Sequence, residues 1–230
     1  AILVFSGDIN LSRAKKLATK YFGKIKSRND IFSRKNLIDP PSRTSINIEY
    51  SHKDVKQPIW KRIYKTSSYN QNLKQSIALD IGLKILAGGS TSILYDEFVK
   101  KKKILSAIGG YFQGMSKYNG TIYFYAIPNK KVNFEELEIE IDSAIKNAIE
   151  NKITEEKFLI QKKKYLYDSI YLRDSITQPA QIIGEAVTVG LTLNQIEDWD
   201  ETIKDLKLEE VQNALKLFLE NKDFVNGILQ

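Results

Sequence analysis

The sequence predicts an α+β fold, in which an antiparallel sheet is packed on one face by helices. Strand patterns cluster in the first part of the chain and helical patterns in the second, a segregation typical of α+β domains. Hydrophobic residues make up 42% of the 230 residues, which is ample for a buried core. A chain of this length fits one or two domains.

The first 45 residues predict a strand, a helix and a linker. Residues 2–5 form a short apolar run closed by a polar turn, which is typical of a buried strand. A helix capped by Asn10 or Ser12 follows and completes a unit over residues 1–25. Residues 26–45 lose all periodicity, so they are predicted to be an exposed linker that marks a domain boundary.

Residues 46–230 are predicted to form the second domain, which begins with two strands and a helix. The first strand alternates strictly from Ile46 to Tyr50, so one of its faces is expected to be half-buried. A second strand covers residues 58–65. Apolar residues that recur every four positions then predict a helix over residues 73–86.

A short helix and a hairpin come next. Ser90 or Thr91 is expected to begin the helix, which ends in four lysines at 100–103. These lysines favour an exposed helix end, where cations complement the dipole, and attraction of acidic peptides is the alternative. Residues 104–113 and 120–128 predict a β-hairpin whose aromatic residues belong to the sheet core.

Capping signals define the starts of the later helices. Asn133, Thr154 and Thr192 each stand before a helical pattern, and Pro179 opens another helix. A last helix is predicted from apolar residues at helical spacing, and residues 224–229 predict a closing strand. Three lysines at 162–164 lie within one of these helices and are interpreted as a solvated face.

The composition excludes several kinds of catalytic site. His52 is the single histidine and there is no cysteine, so this chain alone cannot form the usual His-rich zinc site or a Cys–His pair. His52 itself lies beside Asp54 at a strand end and is interpreted as a surface residue. No apolar run is long enough to span a membrane.

The net charge of +7 comes from 35 basic and 28 acidic residues, and only six of the basic residues are arginine. Nucleic-acid readers usually rely on arginine for bidentate contacts. We therefore expect no nucleic-acid partner, and a nucleic-acid-binding module is a third interpretation that rests only on net charge.

Four stretches of the chain, taken in order, carry a family resemblance. They are AILVFSGDINLSRAKKLATKYFG at 1–23, DVKQP at 54–58, LKILAGGSTSILY at 83–95, and the helical region 168–206. Together they resemble the insulinase/pitrilysin superfamily of zinc peptidases, and within it the mitochondrial processing peptidase-like branch. The resemblance spans almost the whole chain.

The resemblance implies two homologous α+β halves that face each other like a clamshell, with zinc bound in the first half by an inverted H-x-x-E-H motif and a distant glutamate. The matching helix here, residues 73–86, contains Ala-Leu-Asp80-Ile-Gly and no imidazole. The chain therefore resembles the non-catalytic C-terminal half, and residues 1–25 resemble the last strand and helix of the catalytic half. Zinc is expected in the intact parent protein and not in this segment.

The chain departs from the family at two positions. Second halves of the bacterial branch often carry an arginine after the Ser-rich turn and a tyrosine near the start of the hairpin, which help to hold substrate. Ile93 and Ser106 occupy these positions here. Tyr111 and Lys103 are the nearby candidates for substrate binding, and no catalytic or metal-ligating residue is assigned to this segment.

The functional hypothesis is the C-terminal half of a zinc-dependent metalloendopeptidase that closes the peptide-binding chamber. Its expected partners are an N-terminal catalytic half or a homologous catalytic subunit, together with an extended peptide substrate. The alternative is a non-catalytic partner or scaffold subunit of a processing peptidase-like complex. A homo- or heterodimer, and a cytoplasmic or periplasmic location if the protein is bacterial, stay open.

Overall fold

The computed structural model of the chain describes residues 2–26, 44–129, 132–220 and 223–230. Within these ranges helices pack on a mixed sheet, so the predicted α+β class is confirmed. The strands are β1 (Ile46–Tyr50), β2 (Ile59–Thr66), β3 (Leu105–Gln113), β4 (Gly120–Pro128) and β5 (Phe224–Leu229). The helices are α1 (Leu11–Phe22), α2 (Leu73–Ala87), α3 (Ile93–Tyr95), α4 (Phe134–Asn147), α5 (Glu155–Arg173), α6 (Gln178–Val189), α7 (Leu193–Glu197), α8 (Trp199–Asp205) and α9 (Leu208–Glu220).

The sheet has the strand order β1-β5-β2-β4-β3 in the described residues. All neighbouring strands are antiparallel except β1 and β5, which run parallel. The predicted sheet was wholly antiparallel, so this pair is a correction. It arises because the last strand inserts between the first two, and its direction opposes β2 but matches β1.

The central helix α2 is buried on most of its sides, which its predominantly apolar sequence favours. It packs against β3, α5 and α9, and its residues Ile77, Ile81 and Leu83 have no exposed surface. Other helices present one apolar face: Val211 and Leu215 of α9, for example, are completely buried. The core therefore lies between the inner face of the sheet and α2.

Strand β1 was predicted to be half-buried, and the structure contradicts this. All five of its residues are exposed, with Ile46 at 50%, Ile48 at 57% and Tyr50 at 59%. The reason is its place at the sheet edge, where it pairs with β5 and none of the described helices covers either face. The alternating sequence of β1 predicted two different faces of the strand, but it gave no information about which elements cover each face.

The predicted strand over residues 2–5, assigned to the preceding half, has no pairing partner within the described residues and stays a prediction. Its residues Ile2 and Leu3 are about half exposed, at 52% and 51%. The following helix is confirmed as α1, and Asn10 caps it by accepting a hydrogen bond from the Arg13 amide at 2.9 Å.

The linker predicted over residues 26–45 lies mostly outside the described residues. The proposed boundary between residues 1–25 and 46–230 therefore stays a prediction. No helix of the described residues is long and apolar enough to cross a membrane.

The predicted capping residues of the later helices are confirmed. Asn133 accepts hydrogen bonds from the amides of Glu135 and Glu136, and Thr154 accepts one from Lys157. Thr192 and Gln195 form the reciprocal capping box. These interactions stay within a single helix turn, so local sequence was enough to predict them.

Helices α3 and α8 differ from the sequence predictions. Helix α3 begins after Ser92 and not at Ser90 or Thr91, because Gly89 adopts a left-handed φ of +95° and delays the first helical turn. The helix continues as a π-helical turn over Asp96–Lys101. Helix α8 was not predicted as a separate element, since it follows α7 directly at Asp198.

The lysines at 162–164 do not form a uniformly solvated face. Lys162 donates hydrogen bonds to the carbonyl oxygens of Lys204, at 2.6 Å, and of Leu206, at 2.8 Å. Lys204 lies in the last turn of α8 and Leu206 is its C-cap residue, where helix carbonyl groups commonly accept hydrogen bonds from side chains. Lys162 therefore joins α5 to the end of α8, whereas Lys163 and Lys164 are exposed.

Replacing Lys162 with methionine is expected to lower the free energy of unfolding by about 1 kcal/mol, because two carbonyl groups lose a charged donor. The same substitution at Lys163 or Lys164 removes the same charge and gives a side chain of the same length, but no carbonyl loses a donor. It is therefore expected to change the free energy of unfolding by no more than about 0.5 kcal/mol. Urea unfolding of the three variants measures the difference. Equal effects at all three positions would contradict the capping role.

Candidate functional site

A cavity of about 590 Å³ opens beside α2 and is enclosed by α5, α6, α8 and the end of β3. Most of its wall is apolar. Its aromatic side consists of Tyr69, Phe112 and Trp199, whose rings meet edge-on with centroid distances of 5.2 Å and 5.0 Å to Tyr69. A concave, mostly apolar cavity with a few convergent polar groups is the usual form of a ligand site.

Asp80 of α2 is the polar centre of this cavity. Tyr69 donates a hydrogen bond to its Oδ2 atom at 2.9 Å, and Tyr165 of α5 donates a second one to the same oxygen. The Oδ1 atom accepts no hydrogen bond from the described residues. The sequence left open whether Asp80 faces the core or solvent, and the structure places it in the cavity wall.

Burial controls the protonation of this cluster. Loss of hydration raises the pKa of Asp80 above its ordinary value of 3.8, although the two phenol hydrogen bonds oppose this. Burial, together with the negative charge of Asp80, also raises the pKa of Tyr69 and of Tyr165. The phenols therefore stay protonated as donors, and the carboxylate pays a desolvation cost when it ionises.

Replacing Asp80 with asparagine is expected to stabilise the fold at pH 7, because the amide oxygen can accept both phenol hydrogen bonds without a buried charge. The pKa of Asp80 is higher in the folded state than its ordinary value of 3.8, so the protonated side chain favours folding below pH 3.8. This contribution to the free energy of unfolding is lost as the pH rises through the folded-state pKa. The gain should therefore be small at pH 3 and larger at pH 7. Thermal unfolding at both pH values measures it.

Asp54→Asn is the matched control for this prediction, since the Asp54 side chain is 75% exposed and lies outside the cavity. It should give no gain that grows with pH. A gain for Asp80→Asn that is the same at pH 3 and pH 7 would contradict the assigned cause.

The surroundings of His52 do not form a metal site. Its side chain is 44% exposed, its Nδ1 atom accepts a hydrogen bond from the Asp54 amide at 3.3 Å, and its ring stacks on Tyr50. The interpretation as a surface histidine is confirmed. In the described part of the chain, no group of three or more His, Cys, Asp or Glu side chains is placed to hold a metal ion.

A family profile described as the peptidase M16 inactive domain matches residues 1–165. The chain belongs to the peptidase M16 inactive-domain family. The predicted membership of the insulinase/pitrilysin superfamily is thereby confirmed, and its C-terminal, inactive half is the part that matches. The narrower assignment to the mitochondrial processing peptidase-like branch stays a prediction.

Individual relatives agree with this assignment. The zinc protease PqqE of Helicobacter pylori is 24% identical over 213 residues, which cover 92% of this chain and 47% of the relative. A solved protease from Helicobacter pylori has a TM-score of 0.88 at 20% identity, covering 98% of this chain and 54% of its own. A solved M16 inactive domain from Pseudomonas fluorescens has a TM-score of 0.77 at 19% identity, with coverages of 97% and 52%.

These relatives are about twice as long as the part that they share with this chain. At such identities the structural likeness establishes the fold alone. The roles of individual residues in this M16 inactive domain therefore depend on their positions in its own structure.

The two predicted substrate-binding residues are not brought together in the M16 inactive domain. Tyr111 is 45% exposed on the helix-free face of β3 and stacks on Tyr123 at 4.9 Å. Lys103 precedes the same strand, has a φ of 56°, and its carbonyl accepts a hydrogen bond from Asn129. From Leu105 to Tyr111 the strand advances by about 20 Å, so the two side chains cannot share one small site.

The two departures from the family also have clear structural positions. Ile93 is a core residue with 7% exposure, and Ser106 donates its hydroxyl hydrogen bond to the Ile127 carbonyl at 3.0 Å. Neither side chain presents a free donor to a substrate. Of the lysines at 100–103, Lys101 pairs with Asp96 at 2.6 Å, which is consistent with the predicted exposed helix end.

Sequence reasoning missed most of the cavity. Tyr69 and Tyr165 are separated by almost a hundred positions, and neither belongs to a motif. The one available signal was Asp80 itself, an acidic residue within the largely apolar segment 77–83 of α2. Its partners could be identified only after α2 and α5 were packed together.

Proposed function

We propose that this M16 inactive domain is the C-terminal half of a zinc metalloendopeptidase and closes its peptide-binding chamber. One observation carries the proposal: α2, which the family resemblance matches to the zinc-binding helix, contains no imidazole, and its Asp80 accepts hydrogen bonds from two phenols. A helix without an imidazole supports a structural role for this half.

Zinc would belong to the other half of the parent protein. The name of the Helicobacter pylori relative, a zinc protease, supports this, and so does the fact that the present chain spans about half of that relative. The residues of this chain do not fit the metal, since Asp80 already accepts two phenol donors on one oxygen and no imidazole accompanies it. We therefore assign no catalytic step to this segment.

The contribution of this half to substrate would come from the sheet edge formed by β3. Among the described strands it pairs only with β4, and it is longer than the opposite edge strand β1. Extended peptides commonly bind by adding a strand to such an edge. Tyr111 within β3 and Lys103 before it would then contact different residues of the same bound peptide, which explains how both could bind substrate without lying together.

The test uses the complete protein that contains this chain together with its N-terminal half. We expect the complete protein to cleave unfolded peptides and to lose that activity after zinc removal by a chelator, whereas residues 1–230 alone cleave nothing. Tyr111→Ala should raise KM more than it lowers kcat. Tyr50→Ala on the opposite edge strand is the matched control, since Tyr50 is 59% exposed, and it should change neither constant.

A second candidate function, a non-catalytic partner or scaffold subunit, is favoured by Ile93 and Ser106. Both positions lack the polar side chains that the family often uses to hold substrate, and Ile93 is buried. In this case the complete protein would show no hydrolysis of its own and no zinc, and it would raise the rate of an active homologous subunit on mixing. Those three results together would overturn the first proposal.

A further inference from the structure

We propose that the cavity around Asp80 is a binding site for a hydrophobic organic monocation, meaning one amine attached to an aromatic or branched aliphatic body. This inference does not depend on the proposed peptidase role. It rests on the volume, the wall chemistry and the charge of the cavity.

The volume and walls fit the body of such a ligand. About 590 Å³ lies within the range of small-molecule sites, which are usually several hundred cubic ångströms. The aromatic rings of Tyr69, Phe112 and Trp199 form one part of the wall, and Ile182 and Ile183 of α6 add aliphatic surface to it. An apolar ligand body would replace water against these side chains, which is favourable in proportion to the area buried.

The charge of the cavity selects a cation. Three carboxylates contribute to its lining, from Asp80, Asp168 and Asp200, and no lysine, arginine or histidine belongs to the described lining residues. This is notable in a chain with a net charge of +7, where an unselective surface would be basic. An anionic ligand would be repelled, and a neutral one would leave the charge of Asp80 uncompensated.

The geometry of Asp80 provides the anchoring point. Both phenol donors use Oδ2, so Oδ1 remains available to an ammonium hydrogen within the described structure. Hydrogen bonds between two charged groups are shorter and stronger than neutral ones. The aromatic faces nearby add cation–π attraction for the same charge. Of the three lining carboxylates, Asp80 is the one that both phenols hold in place, so a single ammonium group at its Oδ1 is the matched charge.

The expected pH dependence follows from burial. Loss of hydration raises the pKa of Asp80, and the phenols of Tyr69 and Tyr165 oppose that rise through their hydrogen bonds. Lys84 on the same helix also favours the ionised form, while Asp168 of α5 adds negative charge beside Tyr165. Binding of an amine requires the ionised carboxylate, so affinity should fall as pH is lowered toward and through the pKa of Asp80.

The experiment compares two probes of nearly equal shape, 4-phenylbutylamine and 4-phenylbutan-1-ol, by calorimetry and ligand-observed NMR on the 230-residue chain. We expect the amine to bind about tenfold more tightly or better at pH 7. Asp80→Asn should remove this preference and leave the weak alcohol binding unchanged, which also shows that the cavity is intact. Asp54→Asn should alter neither probe.

Ile183→Trp provides a second test, because the larger side chain fills the cavity from α6. It should abolish binding of both probes while thermal unfolding remains cooperative. Equal affinity for amine and alcohol, unchanged amine binding in Asp80→Asn, or retained binding in a folded Ile183→Trp variant would each overturn the proposal.

Discussion

Replacing Arg62 with leucine is expected to lower the free energy of unfolding by about 3 kcal/mol or more, the scale seen when one partner of a buried charge pair is removed. Arg62 of β2 is only 3% exposed. Its Nε donates to Asn226 Oδ1 at 2.7 Å and its Nη2 donates to Glu138 Oε2 at 3.2 Å. A third bond runs from Nη1 to Asp142, whose side chain is half exposed and contributes less.

The cost of this substitution arises mainly from the groups left behind. Glu138 has 21% side-chain exposure and would keep its charge without its arginine partner, and the buried Asn226 would lose its donor. The guanidinium also lies over the rings of Trp60 and Phe224, at 5.0 Å and 4.3 Å from their centroids. Arg62 therefore ties β2 to β5 and α4 through several contacts at once.

Lys61→Leu is the matched control, because Lys61 precedes Arg62 on the same strand but points to the exposed face. It should change stability by no more than about 0.5 kcal/mol. Adding Glu138→Gln to Arg62→Leu should recover part of the loss, since the uncompensated charge is then removed. Urea unfolding of the four proteins measures both effects, and equal losses for the two single leucine variants would refute the buried network's role.

The second large effect is expected at the contact between α2 and α9. A Cβ atom on Gly82 would lie 2.8 Å from both Cγ and Cδ1 of Leu215, a side chain with no exposed surface. Gly82→Leu is therefore expected to lower the free energy of unfolding by about 2–3 kcal/mol through overpacking, despite the better helix propensity of leucine.

The same contact predicts a reversal of sign in a second background. Leu215→Ala alone should cost about 2–5 kcal/mol, because it leaves a cavity beside Gly82. In that background Gly82→Leu should be stabilising, since the new side chain fills the cavity and improves helix propensity. A double-mutant cycle by chemical denaturation measures this coupling. Additive losses would show that the two helices do not pack through this pair.

The buried contacts of Arg62 and Gly82 and the proposed ligand site lie in different parts of the same domain. Arg62 holds the sheet to α4, Gly82 allows α9 to approach α2, and Asp80 lies on the part of α2 that borders the cavity. A domain whose central helix is buried by neighbours on several sides can keep its fold without a metal. This agrees with the proposal that this M16 inactive domain is the structural half of a larger protein.

The success of prediction followed the range of the interactions. The caps at Asn133 and Thr154 and the alternation along the hairpin depend on residues a few positions apart, so their patterns were sufficient. The burial of Arg62 was not foreseen, because its partners Glu138 and Asn226 come from distant parts of the chain. The failure at β1 has the same cause: alternation does not reveal which strand lies at a sheet edge.

The same limit applies to function. The absence of cysteine and the single histidine were enough to exclude the usual metal and thiol sites, and four ordered motifs were enough to identify the superfamily. The cavity around Asp80 required packing, since α2, α5 and α6 each provide only part of its wall. Residue types and short spacings can be read directly from the sequence. Enclosure of a cavity, desolvation of a side chain and hydrogen bonds between distant residues arise only when distant segments pack together in the folded protein.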